Sequence, residues 1–258
     1  MDISTFPFDF KTNNRGNIIQ RYNQFRFIKK QTLMCFSASA SFGAGIVLSS
    51  IYVASIKKAK PQSQSHIYFA SIPLVFAVQQ ITEGFLWLSL TNTDYAFLQQ
   101  VTTYVFLFFA QVVWPIWVPY SILKLEPKDK QRKVEKILVG IGAIVSSYLA
   151  YCLLTFPVEA KIIGYHIAYG QNYPDSISRY CGLLYIIATV FPPFFSRINR
   201  MWMLGTAIFI SYIITTMFYN DYIVSVWCFF ASIISIAVYA ILYELKNSPG
   251  VIKKPAES

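Results

Sequence analysis

The residue best placed to do chemistry is Glu83, which lies within an apolar segment running from Ile67 to Leu90. About 20 mostly apolar residues in a helix cross the roughly 30 Å hydrocarbon layer of a membrane. A carboxylate in the middle of such a helix costs about 2.5 kcal/mol or more unless it is neutralised, paired or hydrated. Glu83 is therefore either a group that binds a proton or a ligand, or a hydrogen-bonded residue that fixes helix packing. The sequence leaves both interpretations open.

Three further side chains share the helix face of Glu83. Gln79 and Gln80 precede it by four and three residues, and Trp87 follows it by four. Residues at these spacings are neighbours on a helix surface. We expect this face to point into the protein rather than at lipid, where it would line a polar pocket.

Other candidate ligand-binding residues lie in two other apolar segments. Gln111 and Trp114 precede Pro115 and Pro119, which are one helical turn apart. Two prolines so close predict a distorted helix, which membranes tolerate where neighbouring groups or a cavity satisfy the freed carbonyls. The other two candidates lie near the end of the chain and are Trp227 and Cys228.

The elements that must position these groups are apolar segments separated by short connectors. We predict an all-α polytopic membrane protein with about seven transmembrane helices. Pro73 should kink the second helix, and the pair Pro192-Pro193 should break the end of the fifth. The alternating sequence KIIGYHIAY before the fifth helix predicts a short hairpin strand or a re-entrant lid. The expected helices are Phe36–Ile56, Ile67–Leu90, Phe97–Leu123, Lys136–Phe156, Tyr180–Phe195, Met201–Tyr219 and Tyr222–Leu245.

Composition agrees with a membrane protein. Hydrophobic residues make up 55% of the 258 positions and charged residues 13%, whereas soluble domains are roughly a quarter charged. The net charge is +10. The basic residues that produce it lie almost entirely at the two ends of the chain and in the connectors between predicted helices 1 and 2, 3 and 4, and 5 and 6. That distribution favours membrane orientation over nucleic-acid binding. It predicts a multi-pass protein of the plasma (inner) membrane, with the N-terminus outside and the C-terminus cytoplasmic.

The two ends of the chain differ from the predicted seven-helix domain, 34–245. Residues 1–33 are polar and basic, and 246–258 form a polar tail. Residues 1–33 are either a mobile basic tail or an extension upstream of a natural start at Met34. A basic segment outside the cell opposes the positive-inside rule, which favours the second interpretation.

The four cysteines are expected in the outer third of the membrane. Cys152 and Cys181 flank the 4–5 loop, and a disulfide between them would close it in an oxidising compartment. The alternative is that buried cysteines act as small hydrophobic residues, and a thiol-lined site near Glu83 is a third hypothesis. Because no CxxC pattern occurs, we predict neither a metal site nor a cofactor.

Several known classes do not fit. A zinc hydrolase of the ceramidase type needs several histidines on one side of the membrane, but His66 and His166 are expected about a bilayer apart. A rhodopsin needs a lysine in the middle of the seventh helix, whereas Lys246 lies at its end. Nucleotide-binding glycine motifs and a convincing internal repeat are also absent.

Four motifs carry a resemblance to a known family. MCFSASASFGAG, IPLVFAVQQITEGFLWLSL, WPIWVP and SVWCFFASIIS resemble an uncharacterised family of bacterial multi-helix membrane proteins that begins with an MCFSA-type start. The likeness covers nearly all of residues 34 to 245, implies Met34 as the start, and brings no biochemical activity. Matched residue by residue, it points to Cys35, Gln79, Gln80, Glu83, Trp87, Trp114, Pro115, Trp227 and Cys228.

The function that the residues favour is binding or sensing of a small ligand or lipid in an outward-opening pocket. Glu83 would be its anchor, with Trp87 and Trp227 as walls. The alternatives are a lipid-modifying enzyme, with Glu83 as acid or base and Cys228 or a serine as nucleophile, and a proton-coupled carrier. The expected partners are the bilayer and this ligand, without nucleic acid. The sequence does not specify the ligand or the oligomeric state.

Overall fold

The computed structural model describes residues 37–126, 133–164, 166–218 and 230–247, and this part of the chain is mostly helical. A single two-stranded sheet makes it less purely helical than expected. The helices are α1 (Ala38–Ala59), α2 (Gln64–Ala70), α3 (Ile72–Thr91), α4 (Gln99–Leu107), α5 (Trp114–Leu125), α6 (Lys133–Thr155), α7 (Asp175–Val190), α8 (Pro192–Phe195), α9 (Met201–Phe218) and α10 (Ala231–Asn247), and the strands are β1 (Val158–Ile163) and β2 (His166–Gln171).

Helix α1 packs along α3 through small residues. It begins after Ser37, whose hydroxyl accepts a hydrogen bond from the amide of Ala40 at 3.3 Å, as an N-cap serine does. Gly45 is buried, and a Cβ there would lie 2.6 Å from Cγ1 of Ile81 on α3. The small side chains of α1 thus allow a close approach of the two helices.

The second apolar segment is broken where Pro73 predicts a kink. Helix α2 ends at Ala70, Ser71 separates the two pieces, and α3 begins at Ile72 with Pro73 in its first turn. A proline is tolerated there because the amides of a first helical turn have no partner inside the helix. The break turns the predicted single helix into two.

The third apolar segment runs from Thr93 to Leu125 and has four parts. A 3₁₀ turn over Thr93–Leu98 leads into α4, and a π-helical stretch over Phe108–Val113 separates α4 from α5. The predicted distortion is therefore present, but as a π-helical stretch that ends before Pro115.

The segment between α6 and α7 forms the predicted hairpin. Strands β1 and β2 are antiparallel, with Val158 opposite Gln171 and Ile163 opposite His166. On β2, Ile167 and Gln171 are buried while Gly170 between them is exposed. Alternate residues of a strand point to opposite faces, so one face of the hairpin is packed into the molecule.

The end of the fifth predicted helix is broken as expected. Helix α7 ends at Val190, and Pro192 starts the short α8. Helix α10 begins at Ala231, so the first part of the predicted seventh helix lies outside the described residues. Cys35, Trp227 and Cys228 lie outside them as well.

The connector after α1 and the turn before α9 both meet the C-terminal end of α10. The side-chain amide of Gln62 donates to the carbonyl of Leu242 at 3.3 Å. The carboxylate of Glu244 accepts from the side-chain amide of Asn199 at 3.1 Å and pairs with Nε of Arg200, also at 3.1 Å. These contacts gather three separate parts of the chain at one end of the helix bundle.

A buried carboxylate joins the end of α5 to the same turn. Glu126 is 3% exposed, and its Oε1 accepts from the hydroxyl of Ser196 and from the amide of Arg197, each at 2.6 Å. Hydrogen bonds to a charged acceptor are stronger than neutral ones. The connectors after α1, after α5 and before α9 therefore share one end with the C-terminus of α10.

Four helical segments are long and apolar enough to cross a membrane, judged by length and composition. Two shorter apolar helices, Tyr180–Val190 and Met201–Met217, are found in the same described part of the chain. The four long segments are Ala38–Ala59, Gln64–Thr91, Thr93–Leu125 and Lys133–Thr155.

Candidate functional site

The polar face of α3 is buried. Gln79 is 0% exposed, Gln80 and Glu83 are 3% exposed, and Trp87 is 7% exposed. Phe85, on another face of the same helix, is 42% exposed. The polar face therefore points into the protein, as the helical spacing predicts.

Glu83 has a hydrogen-bonding neighbour on its own helix. Nε2 of Gln80 donates to Oε2 of Glu83 at 3.1 Å. A buried carboxylate is costly unless it is hydrogen-bonded. The carboxamide of Gln80, one turn earlier, provides one of these hydrogen bonds. Both side chains face the interior from the middle of a segment apolar enough to span a membrane.

Gln79 joins α3 to α5. The indole N–H of Trp114 donates to Oε1 of Gln79 at 2.8 Å. The ring of Trp114 also lies 4.0 Å, between centroids, from the ring of Phe76. Two of the predicted site residues, Gln79 and Trp114, are thus brought together from separate apolar segments.

The π-helical stretch before Trp114 follows from Pro115. A proline has no amide to donate to the carbonyl four residues earlier, and its ring clashes with that carbonyl, which here belongs to Gln111. Widening the helix over Phe108–Val113 relieves the clash. Such π-helical insertions occur often at functional sites.

Neighbouring helices satisfy the backbone carbonyls of this distorted region. The hydroxyl of Tyr185 on α7 donates to the carbonyl of Ala110 at 2.6 Å. The hydroxyl of Ser146 on α6 donates to the carbonyl of Val112 at 2.7 Å. Groups from other helices thus bond two carbonyls of the π-helical stretch, while the satisfaction of the carbonyls freed by Pro115 and Pro119 stays a prediction.

Gln111 lies inside the π-helical stretch and is 0% exposed. Its Nε2 donates to Oε1 of Gln171 at 3.0 Å, and its Oε1 accepts from the hydroxyl of Tyr173 at 3.1 Å. Gln171 is the last residue of β2, and Tyr173 lies two residues further along the chain. Burial raises the pKa of Tyr173, so its phenol remains a protonated donor at neutral pH.

Aromatic packing holds the hairpin against the third apolar segment. The rings of Phe106 and Tyr169 stack with centroids 5.0 Å apart and planes 5° from parallel. On the other strand, Nε2 of Gln99 donates to the carbonyl of Ala160 at 3.3 Å. The hairpin is thus fixed along α4, and its last residue reaches Gln111.

Cys152 and Cys181 are both buried and are free thiols. The possible disulfide between them is not formed in this structure. Their helices, α6 and α7, pack against each other. Oxidation of the pair stays a prediction.

Sequence analysis missed Gln171 and Tyr173. The signal available was a polar triplet, Gln171-Asn172-Tyr173, directly after an alternating strand. Gln171 and Tyr173 are buried, whereas residues of a predicted connector are expected to be exposed. In the described part of the chain, no group of three or more His, Cys, Asp or Glu side chains is arranged to hold a metal ion.

The structure is that of a mostly helical protein, with four helical segments that are long and apolar enough to cross a membrane and a buried hydrogen-bonded cluster between broken helices. Residues 34–251 match the model of a family of unknown function (DUF6629), and the chain belongs to that family. The expected membership of an uncharacterised family is thus confirmed. No curated protein and no solved structure matches the chain.

Proposed function

We propose that the chain is a multi-pass protein of the plasma (inner) membrane with seven spans, its N-terminus outside and its C-terminus cytoplasmic. The distribution of basic residues supports this orientation, since cytoplasmic connectors carry an excess of Lys and Arg. Lys161 and Arg179 lie at the hairpin end. The basic residues at the opposite end of the described chain are Lys57, Lys58, Lys60, Lys124, Lys133, Lys136, Arg197, Arg200 and Lys246.

Cysteine labelling of intact cells tests this orientation. We expect the Lys161→Cys variant to react with a membrane-impermeant maleimide, and the Lys57→Cys variant to react only after the cells are opened. Each is made in a background whose native cysteines are replaced by alanine. The opposite pattern would reverse the topology.

We propose further that the protein binds or senses a small ligand or lipid in a pocket around Glu83. The observation that carries this proposal is the burial of four polar side chains in segments apolar enough to cross a membrane. Gln79, Gln80, Glu83 and Gln111 are each at most 3% exposed. Polar and ionisable residues at such positions are costly and usually serve a function.

The chemistry of the described groups favours binding over catalysis. Apart from the carboxylate of Glu83, the polar side chains of the site are carboxamides, an indole and a phenol, which form hydrogen bonds but are weak nucleophiles. The broken helices on both sides of the site supply further polar groups, as at binding sites between discontinuous helices. A site of this kind is suited to hold and orient a ligand.

Mass spectrometry of gently purified protein tests the binding proposal. We expect a non-covalently bound small molecule or lipid to accompany the wild-type protein and to be depleted in Glu83→Gln. Gln keeps the shape of the side chain and its contact with Gln80 but cannot ionise. A matched control is Ser147→Ala on the exposed face of α6. Identical bound molecules in all three proteins would contradict a pocket anchored by Glu83.

The stability of the same proteins in detergent from pH 4 to 9 shows whether Glu83 titrates. If the wild type shows a change in stability near neutrality that Glu83→Gln lacks, Glu83 ionises in a hydrated site. If the wild type and Glu83→Gln have the same pH dependence, Glu83 is a neutral packing residue and the proposal fails.

A further inference from the structure

Basic side chains gather on the surface where the ends of α1 and α10 meet. Nζ of Lys58, in the last turn of α1, lies 4.8 Å from the ring centroid of Tyr243 on α10. The side-chain amide of Gln62 joins the same two helix ends, because it donates to the carbonyls of Lys58 and Leu242. The C-terminal ends of α1 and α10 are therefore held side by side.

Two more lysines extend this surface. Lys57 directly precedes Lys58 and is exposed, and Lys246, also exposed, follows Tyr243 by three residues. Residues three apart are neighbours on a helix, and Tyr243 itself is 48% exposed. These three lysines and Tyr243 form the α1–α10 basic edge, which presents three ammonium groups and one phenol hydroxyl.

The described acidic side chains at the same end do not neutralise this edge. Glu126 and Glu135 are buried, at 3% and 2% exposed. Glu244 lies on α10, but its carboxylate pairs with Nε of Arg200 at 3.1 Å. The exposed charge of the described side chains at the edge is therefore positive, and a complementary partner is an anion.

The surface next to the basic edge is apolar. On α10, Ile236 lies two turns before Tyr243 and is 58% exposed. On α1, Val53 lies one turn before Lys57 and is 47% exposed, within a segment apolar enough to cross a membrane. A partner with an anionic head and an apolar body matches both parts of this surface, whereas a soluble anion matches only the first.

We propose that the α1–α10 basic edge binds the phosphate headgroup of an anionic phospholipid, whose acyl chains lie along Val53 and Ile236. Ammonium groups form strong hydrogen bonds to phosphate, and the hydroxyl of Tyr243 supplies another donor. Each basic side chain near an anionic membrane surface strengthens binding about fivefold.

This inference rests on the proposed location of the chain in a membrane, with this end on the cytoplasmic side. It goes beyond the positive-inside rule, because that rule counts charges in connectors and assigns no lipid to a particular surface. It also concerns a surface at the end of the helices, apart from the pocket proposed around Glu83.

Lipid titration of the purified protein, followed by native mass spectrometry, tests the proposal. It compares phosphatidylglycerol with phosphatidylcholine of the same acyl chains, because the two differ in net charge. The edge variant combines Lys57→Gln, Lys58→Gln and Lys246→Gln. The matched control variant combines Lys124→Gln, Lys133→Gln and Lys136→Gln, which remove the same charge from α5 and α6 at the same end of the bundle.

We expect wild type to bind phosphatidylglycerol more tightly than phosphatidylcholine. In the edge variant the Kd for phosphatidylglycerol should rise about 10-fold or more, and the preference should be lost. The control variant should keep the wild-type Kd. Glycerol phosphate in molar excess should not displace the lipid, because it lacks the acyl chains.

An equal loss in the edge and control variants would overturn the inference, because the attraction would then be spread over the whole basic end. Absence of a preference in wild type would also overturn it, as would displacement by glycerol phosphate, which would indicate a site for a soluble phosphate. If the edge variant does not fold, Lys57→Gln with Lys246→Gln is compared with Lys133→Gln with Lys136→Gln. All four of these side chains are exposed, and the same outcomes decide.

The result is separable from the proposed function. Binding of phosphatidylglycerol should be unchanged in Glu83→Gln, whereas the ligand of the proposed pocket should be depleted there. The orientation in the membrane is judged by the labelling of Lys57→Cys. Failure of the lipid preference therefore leaves both earlier proposals standing, and their failure is detected by other measurements.

Discussion

Substitution of Gly142 by alanine should separate α5 from α6. A Cβ at this position would overlap the carbonyl oxygen of Pro115 and lie 2.8 Å from its carbonyl carbon. These are backbone atoms, so no side-chain rotation relieves the contact. Carbon atoms in contact prefer separations of about 3.5–4.0 Å, so the two helices would move apart by at least about 0.7–1.2 Å to relieve the carbon contact, and further to relieve the overlap with the oxygen.

That movement has a calculable cost. The bond from Ser146 to the carbonyl of Val112, now 2.7 Å long, would lengthen to about 3.4–3.9 Å and fall outside hydrogen-bond range. A buried carbonyl without its partner costs about 1–3 kcal/mol, and overpacking costs about 1–3 kcal/mol. The helix preference of alanine over glycine returns about 0.5–1 kcal/mol. We expect a net loss of about 3 kcal/mol, or a Tm lower by about 6–12 °C.

Gly140 is the matched control on the same helix. A Cβ there meets nothing within 4 Å, so Gly140→Ala should gain about 0.5–1 kcal/mol from helix preference alone. Thermal unfolding in one detergent, followed by circular dichroism, compares both variants with wild type. If Gly142→Ala is as stable as Gly140→Ala, the close approach of α6 to Pro115 is refuted.

Three more substitutions test other contacts by the same Tm measurement. Glu126→Gln should lower the free energy of unfolding by about 2 kcal/mol, because two hydrogen bonds to a charged oxygen become neutral. The control Glu159→Gln, on the exposed hairpin surface, should leave Tm unchanged. Tyr185→Phe should lose about 1–3 kcal/mol by leaving the carbonyl of Ala110 unpaired, whereas Tyr180→Phe, 71% exposed, should not. Burial lowers the pKa of His166 below 6.5, so the unfolded chain takes up the proton first and stability should fall as pH drops below that value. His166→Gln should remove this part of the pH dependence; an unchanged pH profile would contradict the burial argument.

Sequence alone predicted the features that depend on near neighbours in the chain. Pro73 and Pro192 each lie in the first turn of a new helix that follows a break, because a proline lacks the amide that a helix interior needs. The inward face of Gln79 and Glu83 follows from helical spacing and from the cost of polar groups in lipid. Each of these effects operates within a few residues, so pattern and chemistry are sufficient.

The partners of the site depend on distant parts of the chain. Gln111 is 60 residues from Gln171 and 62 from Tyr173, and no local pattern couples them. The π-helical form of the distortion is similarly non-local. The clash of Pro115 with the preceding turn requires a local distortion. The hydroxyls of Ser146 and Tyr185 help to determine which carbonyls can do without a hydrogen bond inside the helix. Such pairings follow from tertiary packing, which periodicity does not encode.

The hydroxyl donors that bond the distorted third segment are synthesised after the carbonyls that they bond. Ser146 lies 34 residues after the carbonyl that it bonds, and Tyr185 lies 75 residues after its own. At about 5–20 residues per second, the ribosome needs roughly 4–15 s to make the second donor. During that interval the carbonyl of Ala110 lacks the donor that it has in the folded protein. The third apolar segment therefore depends on other donors, such as water, until the later helices arrive, so its final form should be reached only after α6 and α7 have been made.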